Sequence, residues 1–179
     1  MLNLRVCCAV VVLMSAVTAR AITINTDFFF LLDASGSGGG TDRAIQKRAT
    51  EPLIEDTIDP SNTGARVGFA SFADDVTPGV SLGDAVATDT EDLLAAFDTL
   101  AYTSGYTNNG AGVLHALEDF DETFDVDRMR RFSILTDGRP NLQMGMDAHP
   151  CVYENALKSS DIAGTVVGIG SNFDPLALD

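Results

Sequence analysis

Phe28-Phe29-Phe30-Leu31-Leu32 is an unbroken apolar run that ends abruptly on Asp33. A strand that alternates apolar and polar residues can rest one face in water. A run without alternation suits a strand covered on both faces, as in a parallel sheet sandwiched between helices. The remainder of the chain has to supply those helices and the neighbouring strands.

It does so in alternation. After the Gly/Ser-rich turn Ser35 to Gly40, a helical pattern runs from about Thr41 to Ile58, with Ala44, Ile45, Ala49, Leu53 and Ile54 as its expected apolar stripe and Pro60 and Gly64 closing it. Arg66 to Ala73 reads as a second strand and Val76 to Leu82 as a third. Only the short turn Asp74-Asp75 separates them, so they must form an antiparallel hairpin. Thr90 to Leu100 reads as a helix with Leu93, Leu94 and Phe97 on one face, and the polar loop Thr103 to Asn109 leads into another near Gly112 to Phe124. Arg131 to Thr136 is a buried strand followed by the turn Asp137 to Pro140, Tyr153 to Ser159 is helical, and Ala163 to Ile169 is the last strand. This order predicts one α/β domain, a doubly wound and mostly parallel sheet with helices on both faces.

The chain has 179 residues and is 45% hydrophobic, enough for one domain with a real core. Its charge is one-sided, 11 Lys+Arg against 26 Asp+Glu. Phosphate backbones and anionic membrane surfaces need basic faces, so neither nucleic acid nor a membrane surface is an expected partner. Divalent cations suit such a chain. At the start, Arg5, the apolar run Val6 to Val17 and Ala19-Arg20-Ala21 form the order of a secretory signal peptide, so residues 1–21 are expected to be removed and residues 22–179 to form the domain, secreted to the extracellular space. The apolar run is too short for the roughly 20 residues of a spanning helix, and no membrane insertion of the mature chain is expected. Cleavage takes Arg5 and Arg20 with it and moves the formal charge from −15 to −17. It also removes Cys7 and Cys8. Cys151 is left either as one half of a disulfide or as a buried free thiol.

In doubly wound sheets ligands bind at the carboxyl ends of the strands. Three loops at such ends carry oxygen side chains: Asp33, Ser35 and Ser37 after the first strand, Thr107 in Ser104-Gly105-Tyr106-Thr107-Asn108, and Asp137 after the fourth strand. Carboxylates and hydroxyls with no His or Cys among them suit a hard cation, Mg²⁺ or Mn²⁺, with Ca²⁺ as a third candidate. Two carboxylates at the rim of an apolar sheet repel each other, and a cation relieves that repulsion. Hydroxyl ligands add no charge, so the metal keeps its appetite for a carboxylate from outside. Each piece alone also reads as a helix cap or a plain turn. Their coincidence at three strand ends is what favours a metal site.

These residues resemble the von Willebrand factor A family. Its D-x-S-x-S pattern is Asp33, Ser35 and Ser37; its central threonine corresponds to Thr107; and its T-D-G is Thr136-Asp137-Gly138. The resemblance runs from about Thr26 to Gly170, with RVGFASF and VVGIG as the family's second and fifth strands. It implies the strand order 3-2-1-4-5 with strand 3 antiparallel. It also implies a metal-ion-dependent adhesion site in which Ser35, Ser37 and Thr107 touch the metal, while Asp33 and Asp137 act mainly through water. The remaining position would take an Asp or Glu of an extracellular protein ligand. The family's sixth strand and closing helix have no counterpart before Asp179, so a domain cut short at its C-terminus is expected.

Two other functions compete with the binding module: a structural scaffold whose metal only staples the loops, and a nucleotide-binding or hydrolytic α/β enzyme. The enzyme reading is the weaker. The glycine run Gly36 to Gly40 is followed by Thr41 where a dinucleotide fingerprint needs glycine, and no Gly-Lys-Ser/Thr makes it a phosphate loop. No G-x-S-x-G elbow is present, and His115 beside Leu114 and Leu117 reads as a helix-surface residue. The acidic run Glu118, Asp119, Asp121, Glu122, Asp125 and Asp127 lacks the spacing of a calcium-binding loop and is expected to be a solvated face paired with Arg128, Arg130 and Arg131.

Overall fold

The computed structural model describes residues 25–36, 40–58, 64–136 and 160–169. They form five strands, β1 (Thr26–Asp33), β2 (Arg66–Phe72), β3 (Val76–Val80), β4 (Met129–Thr136) and β5 (Ile162–Gly168). The helices are α1 (Gly40–Thr57), α2 (Thr90–Thr99) and α3 (Asn109–Glu122), with a short 3-10 turn at Ala85–Thr88. The strand order is β3-β2-β1-β4-β5, parallel throughout except for the β2–β3 hairpin. That is the expected fold. The expected helix Tyr153 to Ser159, the cleaved leader and Cys151 lie outside the described residues. Among the described residues no helix is long and apolar enough to cross a membrane.

The apolar run of β1 is central because its alternate residues feed two separate cores. Phe29 and Leu31 point to the side covered by α3, where they meet Val113, Ala116, Leu117 and Phe120. Phe30 and Leu32 point to the other side and meet Ile54 of α1 and Leu93 and Phe97 of α2. Ring contacts reinforce both layers, Phe29 with Phe120 at 6.3 Å and Phe69 with Phe97 at 5.2 Å, both edge-on. Gly68 lies opposite Phe29 in the β1–β2 register, and a Cβ there would come within 2.7 Å of the Phe29 ring. The glycine makes room for the aromatic next door.

Of the stripe expected in helix α1, only Ile54 is buried. Ile45 and Leu53 are exposed, as are Ala44 and Ala49, while Gln46, Thr50 and Ile54 face inward. Both sets run at four-residue steps, so periodicity alone allows either. The helix is rolled so that Gln46 and Thr50 share the buried side with Ile54.

The far pole, at the amino ends of β1 and β4, is locked by charge. Asp27, 1% exposed, accepts a two-pronged pair from Arg66 at 2.8 and 2.6 Å and a third bond from Arg128 Nε at 2.6 Å. The bond to Asp27 raises the pKa of Arg66 above its ordinary value against the opposing effect of burial. Breaking such a buried group by removing one partner strands the remaining charge. The expectation that the arginines pair with the acidic run is therefore corrected. Arg128 turns to Asp27, and Arg130 stacks on Phe124 at 5.0 Å and donates to the Ser160 carbonyl. Nor is that run wholly solvated: buried Asp119 accepts from the Ser81 hydroxyl and from Leu82 N at 2.9 Å, pinning α3 to the loop after β3. His115, expected on the helix surface, is half-buried, edge-on to Phe29 at 5.9 Å.

Candidate metal centre

At the carboxyl ends of β1, β2 and β4 the apolar sheet gives way to buried oxygen-bearing side chains. Asp33 is the last residue of β1 and is 1% exposed; Ser35 is equally buried, and Thr107 is 3% exposed. Of the five residues expected to form the site, these three lie in the described residues. Ser37 and Asp137 lie outside them.

Asp33 is held in one orientation. Its Oδ1 accepts from Ser35 N at 2.8 Å and its Oδ2 from the Thr136 hydroxyl at 2.5 Å. The first bond closes the turn that directs Ser35, and the second ties β1 to the end of β4. Among the described residues both partners of the Asp33 carboxylate lie outside α1.

The Thr107 loop is joined to the Asp33 loop directly. Gly36 N donates to Gly105 O at 2.8 Å. Asp74, at the end of β2, organises the rest: its Oδ1 accepts from Tyr106 N at 2.8 Å. Its backbone carbonyl accepts from Asn108 Nδ2 at 3.2 Å. Asn108 N donates to Ala73 O at 3.0 Å, and the Asn108 side chain caps α3 by accepting from Ala111 N at 3.1 Å. Gly105 sits so close to Asp74 that a Cβ would lie 2.5 Å from Oδ2. Thr107 is thus fixed between a strand end and a helix start.

Asp74, Thr136 and Gln46 also belong to this assembly, through bonds that no local pattern in the sequence marks. Asp74 looked like half of a hairpin turn, and its bonds reach 32 and 34 residues along the chain, which local pattern cannot reveal. Thr136 was visible as a residue of T-D-G, but its bond to Asp33 spans 103 positions.

The donor set fits a hard cation. Among the described residues it comprises one carboxylate and two hydroxyls, all buried, and no His or Cys belongs to it. No group of three or more His, Cys, Asp or Glu gathers among the described residues. That is consistent with a site whose other described members are hydroxyls. Beside it, Arg43 lies over the Tyr102 ring at 5.3 Å, and burial pushes the Tyr102 hydroxyl up to about 12, with Arg43 acting in the opposite direction.

A family model described as von Willebrand factor type A domain matches residues 27–178. Solved structures share the fold. Proximal thread matrix protein 1 from the mussel byssus, in a form with a zinc-occupied MIDAS motif, is 21% identical with a TM-score of 0.70, over 87% of this chain and 38% of that one. Manganese-loaded TRAP protein of Plasmodium vivax is 18% identical with a TM-score of 0.69, over 87% and 61%. An aerotolerance-related membrane protein from Bacteroides fragilis is 21% identical with a TM-score of 0.62, over 81% and 68%. The chain therefore spans well under half the length of the mussel protein. No curated protein matches it.

Proposed function

Because the chain belongs to the von Willebrand factor type A family, whose domains are generally non-enzymatic binding modules, we propose that it is a secreted module that binds a divalent cation and through it an acidic protein ligand. Asp33, Ser35 and Thr107 would hold the ion together with Ser37 and Asp137. Mg²⁺ or Mn²⁺ is the proposed cofactor, with Ca²⁺ also compatible with oxygen donors. The cation would supply an electrophilic position for an Asp or Glu side chain of an extracellular partner. Ser35 and Thr107 would touch the ion through uncharged hydroxyls, so these direct contacts add no negative charge and the ion keeps its attraction for that carboxylate.

The observation that carries this reading is the direct contact between the two loops, Gly36 N to Gly105 O at 2.8 Å, which brings the Ser35 and Thr107 segments together at one pole. The same bond weighs against the scaffold alternative. Protein bonds already join these loops, so a metal is not needed to staple them. Among the structures that share the fold, the mussel protein has a zinc-occupied MIDAS motif and TRAP is manganese-loaded, which supports a divalent site here.

The test is capture of extracellular matrix proteins on the immobilised chain with Mn²⁺ and then with chelator. Binding should disappear in chelator and in Thr107→Ala, while Thr107→Ser retains it. Ligand binding that survives chelator would exclude a metal-bridged mode.

A further inference from the structure

The inward face of α1 changes character along its length. Ile54, Thr50 and Gln46 succeed one another at four-residue steps toward the metal pole, and each is fully buried. Ile54 packs in the apolar core beside Phe30 and Leu32. Thr50 returns its hydroxyl to the Gln46 carbonyl at 2.9 Å, within the helix. Gln46 alone reaches across: its Nε2 donates to the carbonyl oxygen of Asp33 at 2.9 Å. One turn earlier, Arg43 Nη2 stands 3.5 Å from the next carbonyl, that of Ala34.

A buried amide is costly unless both of its ends are bonded. Among the described residues the Gln46 Oε1 has no hydrogen-bond partner. An apolar residue of the same shape would fill that space without stranding an oxygen, so packing does not account for glutamine here. What glutamine adds is a donor to the Asp33–Ala34 peptide. Asp33 is then fixed at three points, its carbonyl by Gln46 and its two carboxylate oxygens by Ser35 N and the Thr136 hydroxyl. Groups that orient a metal ligand without touching the ion commonly govern metal affinity.

We propose that Gln46 is a positioning residue of the metal centre, holding the Asp33–Ala34 peptide from α1 so that the Asp33 carboxylate and Ser35 are aimed before the cation arrives. This rests on the metal-binding reading above. The test uses the whole chain, with Mn²⁺ as the probe, in calorimetric titration, electron paramagnetic resonance and thermal melting. Gln46→Met keeps the volume and removes the donor; Gln46→Glu keeps the shape and sets an acceptor against the Asp33 carbonyl. Both should bind Mn²⁺ at least about tenfold more weakly and give an altered bound-Mn²⁺ spectrum, whereas metal-free Gln46→Met should melt no lower than the parent. Thr50→Val, on the same buried stripe, should leave Mn²⁺ affinity unchanged. Undiminished Mn²⁺ affinity in either folded Gln46 variant overturns the proposal and leaves the metal site standing. A parent chain that binds no Mn²⁺ overturns both.

Discussion

β1 and β5 are both apolar strands of one sheet, each parallel to β4, yet they live in different surroundings. From Phe29 to Asp33 every residue of β1 is buried, between β2 and β4 and between two helical layers. In β5 only Ile162 is buried; Ala163 to Gly168 are exposed, with Val166 at 37% and Val167 at 38%. Among the described residues β5 pairs with β4 alone. The difference teaches that an apolar run specifies membership of the sheet, whereas burial is conferred by what lies on each side. It also separates two tasks. The buried centre sets the position of Asp33, and β5 contributes no described site residue.

Four substitutions sharpen that contrast. Phe30→Ala should cost about 3–5 kcal/mol in denaturant unfolding, since it empties the core shared by β1, α1 and α2. Gly68→Ala should cost about 1–3 kcal/mol by overpacking, because its Cβ would meet the Phe29 ring at 2.7 Å and the Val80 carbonyl at 3.0 Å. Gly164 is the matching glycine at the edge, opposite Phe132, whose ring would lie 2.5 Å from an added Cβ. Among the described residues the nearest atoms there all belong to the Phe132 ring, with no backbone atom closer than 3.5 Å, so Gly164→Ala should cost clearly less than Gly68→Ala. Smallest of all, Val167→Ala should change stability by roughly 0.5 kcal/mol or less. If Val167→Ala proved as damaging as Phe30→Ala, β5 would be covered in solution and the contrast would fail.

Much of this architecture was legible in the sequence because it is local. The Phe28 to Leu32 run announced a doubly covered strand, and the two-residue spacing at Asp74-Asp75 forced the hairpin. Asp33, Ser35 and Thr107 stand out as candidates because each lies beside a recognisable strand end or helix start. The orientation of α1 was not legible. Its sequence carries two stripes at the same spacing, Ile45-Ala49-Leu53 and Gln46-Thr50-Ile54, and hydrophobicity favours the first. The second is the one turned inward, where Gln46 bonds the Asp33 carbonyl, a contact between groups 13 residues apart that no helical pattern encodes. Asp27 escaped notice for the same reason, since its partners Arg66 and Arg128 stand 39 and 101 positions away.

The central claim is that the pole at the end of β1 is a divalent-cation site, and thermal melting of the whole chain with and without Mn²⁺ tests it most directly. At about 100 times the dissociation constant, binding to the native state should add about 2.7 kcal/mol of stability, and Thr107→Ala should lose most of that gain while folding normally without metal. An unchanged melting temperature in Mn²⁺, Mg²⁺ and Ca²⁺ would contradict the claim.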